Sequence, residues 1–242
     1  MSGHSKWANI KRKKGANDAI RAKLTTKIGR EIQIAVRLGG PDPVGNMRLK
    51  LALTKAKANN IPKDNINRAI AKGQGAADGS NYEELTYEGY GPGGTAILLD
   101  ILTDNRNRTA ADVRHLFSKY GGSLGATGCV AWMFQKKAVF VVEKEVFADE
   151  DALMELALDA GADDFEAEDD AFEFTAEVDA FDAILEALTA KGIEPATAEV
   201  TMVPDTTVKV PAEHVDNMQK LIDALEENDD VQNVYGNYEF DD

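Results

Sequence analysis

The chain is expected to be an α+β protein, an N-terminal three-helix domain followed by two ferredoxin-like βαββαβ-type α/β domains, the second inserted in the first. Three observations carry this expectation. Apolar residues recur at helical spacing up to about position 72, they switch to the alternation of strands beyond Tyr82, and charge is sorted along the chain. Residues 1–80 hold 17 Lys and Arg against 5 Asp and Glu, a net of +12, whereas residues 143–242 hold 4 against 31, a net of −27. The stretch between balances at 6 against 6, so a formal charge of −15 conceals a strongly basic module. Cations held close together repel one another, and a polyanion that neutralises them releases its condensed counterions; nucleic acid is the expected partner of residues 1–80.

Length and composition narrow the class. At 242 residues and 43% hydrophobic content the chain is long enough for two or three domains with cores of their own. No apolar run approaches the roughly 20 residues that span a bilayer, Met1 to Trp7 lacks the apolar segment of a secretory signal, and Ser2 stands where myristoylation needs Gly. The single cysteine, Cys129, forms no internal disulfide, which fits a reducing compartment. A cytoplasmic monomer without membrane contact is expected.

The opening segment, with His4, Lys6, Trp7 and the consecutive cations Lys11, Arg12, Lys13 and Lys14, has no apolar period and reads as an adhesive arm. Asp18 can cap a helix running to about Leu38, on which Ile20, Leu24, Ile28, Ile32, Ala35 and Leu38 fill the core arc and Gly39-Gly40-Pro41 ends the helix. Lys23, Arg30 and Arg37 lie seven apart, so at 100° per residue they drift by only about 40° and form a ridge that phosphates can follow. A second helix, about 46–59, turns Leu49, Ala52, Leu53 and Ala56 inward, flanked by Arg48 with Lys55 and by Lys50 with Lys57. A third, 64–72, buries Ile66, Ala69 and Ile70, shows Arg68 and Lys72, and ends at Gly73. These helices make a basic nucleic-acid-binding domain, 1–80, closed by a Gly-rich linker.

Beyond Tyr82, strands at 84–89 and 95–103 flank the turn Gly91-Pro92-Gly93-Gly94, a hairpin signal. Thr109 with Asp112 reads as a capping box for a helix through Tyr120, and 130–135 as the next strand. From Ala138 the order is strand 138–143, helix 149–160, strands 164–168 and 171–176, helix 179–191 and strand 198–203, which is a complete βαββαβ unit. A last helix, 212–227, and strand, 231–238, then find partners only by returning to the middle domain. The expected division is therefore a discontinuous α/β domain, 81–136 plus 205–242, interrupted by an acidic α/β insert, 137–204.

Candidate chemistry is sparse. Gly89 to Gly94 lacks the Gly-Lys-Ser/Thr of a phosphate loop and reads as a hairpin turn. The stretch 103–109 joins a strand to a helix start and adds Arg106 and Arg108, which suits an anion or RNA contact as well as a structural loop. His4, His115, His214 and Cys129 show neither metal-ligand spacing nor a nucleophile–base pattern, and the acidic run 163–170 lacks the periodicity of a calcium loop. Tyr87, Tyr90, Trp132 and Phe134 can stack bases, but Trp132 and Phe134 share one strand face, so core burial is expected. No catalytic residue, metal or cofactor is expected.

Five of these segments carry a resemblance: Gly3-His4-Ser5-Lys6-Trp7-Ala8-Asn9-Ile10, Leu38-Gly39-Gly40-Pro41-Asp42-Pro43, Pro62-Lys63-Asp64-Asn65-Ile66, Tyr87-Glu88-Gly89-Tyr90-Gly91-Pro92-Gly93-Gly94 and Thr103-Asp104-Asn105-Arg106-Asn107-Arg108-Thr109. Over essentially its whole length the chain resembles the YebC/PmpR family, which includes the mitochondrial translational activator of cytochrome oxidase subunit one. The resemblance implies an N-terminal helical domain followed by two α/β domains, and a cytoplasmic DNA-binding regulator of transcription. Other members look like ribosome-associated translation factors that relieve stalling at proline-rich stretches. The family brings no catalytic residues, and its basic N-terminal motif is the part tied to nucleic acid; here Arg12-Lys13-Lys14-Gly15 stands where many members have His-Arg-Lys-Ala. The expectation is thus a non-enzymatic nucleic-acid-binding regulator of gene expression, on DNA, with ribosomal RNA as the alternative. A ribosome or a basic protein is the expected partner of the acidic insert.

Overall fold

The structure, a computed structural model, describes residues 6–7, 10, 18–75 and 82–240. The first elements are helices α1 (Asp18–Gly39), α2 (Met47–Ala58) and α3 (Lys63–Gln74). Strands β1 (Glu83–Tyr90) and β2 (Ala96–Thr103), helix α4 (Arg106–Lys119) and the short strand β3 (Ser123–Leu124) follow. Next come β4 (Phe134–Glu143), α5 (Glu150–Asp159), β5 (Ala162–Ala167), β6 (Ala171–Ala176), α6 (Phe181–Ala190) and β7 (Thr197–Pro204). The chain closes with β8 (Val208–Lys209), α7 (Val215–Glu227), β9 (Val231–Gly236) and β10 (Tyr238–Glu239). The fold is mixed, N-terminal helices followed by antiparallel sheets. The described residues fall into two compact units, 6–75 with 136–201 and 82–135 with 202–240.

In the first unit, Ile32 to Val36 are all buried, so more than a full turn of α1 is enclosed. Ile28, Ile32, Ala35 and Val36 meet Leu49, Ala52 and Ala56 of α2 and Ala69 of α3. Small residues let the helices come close. A Cβ on Gly73 would lie 2.6 Å from the Gln33 carbonyl oxygen and 2.7 Å from the Val36 Cβ, so this glycine is a packing position inside α3 rather than its end. Leu38, placed on the core arc by the helical wheel, is 67% exposed: past Val36 the chain turns at Gly40, and the Asn46 side chain takes the space beside Ala35.

The second half of this unit is a four-stranded sheet in the order β5-β6-β4-β7, with β6 antiparallel to both β5 and β4. Alternate residues of β4 and β6 point to α5 and α6, where Phe140 stacks on Phe174 and Phe181 at 5.4 and 5.3 Å between ring centroids. Leu153, Ala157, Ile184 and Leu188 fill the helix side of this core, and Leu51 of α2 packs against it as well. We retain 1–80, 81–136 plus 205–242, and 137–204 as the proposed domain division, with the helices and the insert packed together in one unit.

The second unit has a sheet in the order β3-β1-β2-β9. Strand β2 is buried on both faces, which its unbroken apolar run foreshadows: Ile97, Leu99 and Ile101 meet Val113 and Phe117 of α4 and Met218, Leu221, Ile222 and Leu225 of α7, while Ala96 and Leu98 pack with Val130 and Phe134. Asp100, the polar residue in that run, accepts hydrogen bonds from the Tyr235 hydroxyl at 2.6 Å and the Asn233 amide at 3.2 Å.

Among the boundaries that differ from the sequence reading, three do so because a side chain takes over as the partner of backbone groups. The span 130–135 is not a strand of its own; Ala131–Met133 is a 3-10 turn, and one strand runs from Phe134 to Glu143. The buried Glu88 carboxylate accepts from the backbone N–H groups of Gly128, Val130 (2.9 Å) and Ala131 (2.6 Å), which removes those amides from any strand ladder. Helix α4 starts at Arg106 because the Asn105 side chain accepts from the Arg108 N–H at 3.0 Å; Thr109, read as the cap, lies in the first turn and donates to Asp230 at 2.8 Å. The expected strand 231–238 divides at Asn237, whose side chain accepts from the Ala96 N–H at 2.6 Å.

Burial opposes ionisation of Glu88, but the three amides more than offset it and hold its carboxyl below the usual carboxylate range. Replacing Glu88 by Ala leaves three amides without their acceptor and is expected to cost on the order of 3 kcal/mol in a urea titration at pH 7. The stabilisation is present above the unfolded value and lost as pH falls through the lowered folded one, so the gap between wild type and variant is expected to shrink in acid.

Candidate nucleic-acid interface

The basic ridge read from the sequence lies on α1. Lys23 and Arg37 are exposed, Arg30 between them is half-buried, and steps of seven residues space them by about 10 Å along the helix. Lys55 of α2 is half-buried and Arg68 of α3 is exposed. Lys57, Lys63 and Lys72 are also exposed and enlarge the set of cations on these helices. The sequence signal for Lys57 and Lys72 is their position outside the apolar arc; Lys63 is the first residue of its helix, where the wheel carries little information.

Other cations of the same region hold the unit together. Arg48 donates to Glu31 through Nε at 2.7 Å and Nη2 at 3.3 Å, a fork that ties α2 to α1. Lys50 pairs with Asp182 at the start of α6, and Lys6 with Glu199 on β7. Trp7, expected on an adhesive arm, is 4% exposed. It packs with Ile10 onto Val141, Ala171 and Ala196, its indole N–H donates to Asp170, and its backbone N–H donates to the Glu173 carboxylate at 3.2 Å. Lys6, Trp7 and Ile10 are therefore seated on the acidic insert. His4, Lys11, Arg12, Lys13 and Lys14 lie outside the described residues.

Glu173 is the most perturbed group of this seat. Burial pushes its carboxyl up to about 7, the backbone N–H groups of Trp7 and Lys6 act in the opposite direction, and Glu166 and Glu168 add repulsion.

In the second unit Arg106 is exposed at the start of α4, and its carbonyl accepts from the Tyr87 hydroxyl at 3.5 Å. Arg108 donates to Asp104 at 2.9 Å and to Asp230 at 2.8 Å. The Asp230 carboxylate is desolvated, but Arg108 and Thr109 hold its pKa below the ordinary value. With Asn105 closing the helix start and Arg108 on two carboxylates, the 103–109 stretch is organised by contacts within the chain.

Trp132, expected in the core, is 70% exposed because residues 131–133 form a turn and do not share the face of Phe134. Its indole N–H donates to the Cys129 carbonyl at 3.1 Å, and the Tyr90 hydroxyl donates to the same oxygen at 3.2 Å. The Cys129 thiol is pushed up by burial and by Glu88. His115 lies on α4 and His214 in a 3-10 turn, and among the described residues no group of three or more His, Cys, Asp or Glu is placed to hold a metal ion. No helix among the described residues is long and apolar enough to cross a membrane.

Comparison with known proteins gives concordant matches. Residues 5–76 match the family model described as TACO1/YebC protein N-terminal domain, and residues 82–238 match that described as TACO1/YebC second and third domain. A protein of Pelotomaculum thermopropionicum named "Probable transcriptional regulatory protein" is 56% identical over 243 residues, covering 100% of both chains. One of the same name from Ruminiclostridium cellulolyticum is 57% identical over 242 residues, covering 100% of this chain and 98% of its own. The crystal structure of a conserved hypothetical protein from Aquifex aeolicus superposes with a TM-score of 0.82 at 42% identity, over 93% of each chain.

The Glu173 seat sets a pH dependence of stability. Between the ordinary carboxylate value and about 7 the folded chain keeps a proton that the unfolded chain has released, so stability falls as pH rises through that window and levels off above it. Glu173→Gln retains an acceptor for the Trp7 N–H and is expected to remove this slope and to raise stability at pH 8 by about 1–3 kcal/mol, read from denaturant midpoints between pH 5 and 8.

Proposed function

The chain belongs to the TACO1/YebC family, and from that premise we propose that it is a non-enzymatic, nucleic-acid-binding regulator of gene expression, acting on DNA as a regulator of transcription. The observation that carries the reading is the array of exposed cations on the helices, Lys23, Arg37, Lys57, Lys63, Arg68 and Lys72, in a segment of net charge +12. Such an array neutralises phosphates and gains affinity from counterion release whatever the base sequence. The names of the relatives support a regulatory role.

A second reading, a translation factor on ribosomal RNA, is favoured by the packing of the acidic insert beside the basic helices. Within a Debye length, roughly 8 Å at physiological salt, acidic groups weaken a long duplex on the neighbouring cations. On a ribosome the same groups can face a basic protein.

In-cell crosslinking followed by separate DNase and RNase treatment decides between the two. Discrete DNase-sensitive fragments are expected for the transcriptional reading, and ribosomal RNA for the other. In either case charge reversal at Lys23, Arg37 and Arg68 is expected to weaken binding and flatten its dependence on log salt by about 0.9 per lost phosphate contact on duplex DNA, or about 0.7 on single strands. An unchanged slope in a salt titration assigns the contacts elsewhere.

A further inference from the structure

We propose that the loop joining α1 to α2, Leu38 to Met47, is a preformed apolar tip that packs against unpaired bases of the bound nucleic acid, with Val44 as its leading side chain. The proposal rests on the nucleic-acid reading above and adds to it a contact made by apolar atoms.

Val44 is 93% exposed, and Leu38 and Met47 at the two ends of the loop are 67% and 36% exposed. Single exposed apolar residues are ordinary on a protein surface; three within ten residues, with Pro41 and Pro43 between them, form a concentrated display. The display is also held in shape. Asn46, only 6% exposed, donates through Nδ2 to the Ala35 carbonyl at 2.7 Å and the Gly40 carbonyl at 2.9 Å, and accepts from the Leu49 N–H at 3.1 Å. The Asp42 carboxylate accepts from the Val44 N–H at 2.9 Å. Gly39 lets Asn46 approach, since a Cβ there would lie 2.6 Å from Asn46 Nδ2. A buried polar side chain, a side-chain-closed turn and a glycine thus fix apolar atoms in water, where a slack polar loop would join the two helices equally well.

The flanking charge identifies what covers the tip. Arg37 precedes Leu38 and Arg48 follows Met47, in a segment carrying 17 cations against 5 anions. Arg48 is paired with Glu31 and Asp42 lies within the loop, so the positive charge beside the tip comes from exposed Arg37 and from the wider excess of cations on these helices. A ligand that meets both features needs phosphates for the cations and apolar faces for the tip, and nucleic acid has both. In a stacked duplex the faces of the bases are covered, so an aliphatic tip gains most where bases are already unstacked, in a single strand, a loop or a bulge.

The test uses the full chain and an RNA hairpin with 2-aminopurine in its loop, beside a fully paired duplex of the same stem. Val44→Ser changes neither charge nor the buried side chains that shape the loop. Wild type is expected to raise the 2-aminopurine fluorescence on binding. Val44→Ser is expected to lose most of that rise and to bind the hairpin about tenfold more weakly, the order expected for one aliphatic side chain left in water, with its salt slope unchanged and its duplex affinity intact. Hairpin binding and fluorescence equal to wild type would overturn the proposal while leaving the nucleic-acid reading in place. Unchanged RNA binding with loss of a protein contact in crosslinking mass spectrometry assigns the tip to a protein and overturns it as well. If wild type binds neither RNA probe, nor the DNA hairpin and DNA duplex of the same sequence, with a salt-dependent affinity, the nucleic-acid reading itself fails, and this inference with it.

Discussion

Like-charge repulsion is the constraint that organises the first unit. Residues 1–80 carry 17 cations against 5 anions, and the core shared by their three helices is small, with four alanines at its inner contacts. A core of that size leaves little margin against the mutual repulsion of so many cations. Opposing charge comes from outside the segment, where Asp182 meets Lys50 and Glu199 meets Lys6, and hydrogen bonds from the Trp7 N–H groups to Asp170 and Glu173 add to the attachment. The Arg48–Glu31 fork adds a pair internal to the helices. Exposed ion pairs contribute little one by one, so their part is to orient; the burial of Trp7 stabilises the unit more, by an amount of the order of 3–5 kcal/mol for a tryptophan truncated to alanine.

The second unit is organised by buried carboxylates rather than by opposing surfaces. Glu88 gathers three amides of the 128–131 loop, and Asp230 gathers Arg108 and Thr109 at the start of α4. Each replaces secondary structure with a side chain as the partner of groups that would otherwise be left without one. Glu88 thereby sets the turn before β4, while the side chains of Asn105 and Asn237 set the start of α4 and the break after β9, which explains why this unit departs from local pattern more often than the first.

That difference also accounts for what was legible in the sequence. Periodicity located all three N-terminal helices to within two residues, because their apolar residues recur at helical spacing, and it separated the insert's strands and helices, because their alternation is clean. It did not reveal that Ala131–Met133 is a turn, since the cause is Glu88, more than forty positions earlier in the chain. The same limit applies to the candidate site. Lys23, Arg37 and Arg68 were legible as exposed cations, whereas the engagement of Arg108 with Asp230 and of Trp7 with Asp170 joins residues more than a hundred positions apart. Leu38 failed in the opposite sense, as a residue whose apolar character follows the core arc while the polar side chain of Asn46 fills the place beside it.

The sorted charge has a consequence for encounter that neither half has alone. A uniformly basic surface attracts any polyanion in any orientation, and a uniformly acidic one attracts none. A compact unit with cations on its helices and an acidic insert packed beside them carries a fixed charge asymmetry, and a polyanion approaching it feels attraction from one part and repulsion from the other before contact. Net affinity is lower than the helices alone would give, but the approach is oriented. Because both contributions are screened over the same length, added salt weakens the orienting effect together with the attraction, so discrimination between polyanions by shape is greatest where ionic strength is low and passes to short-range contacts as it rises.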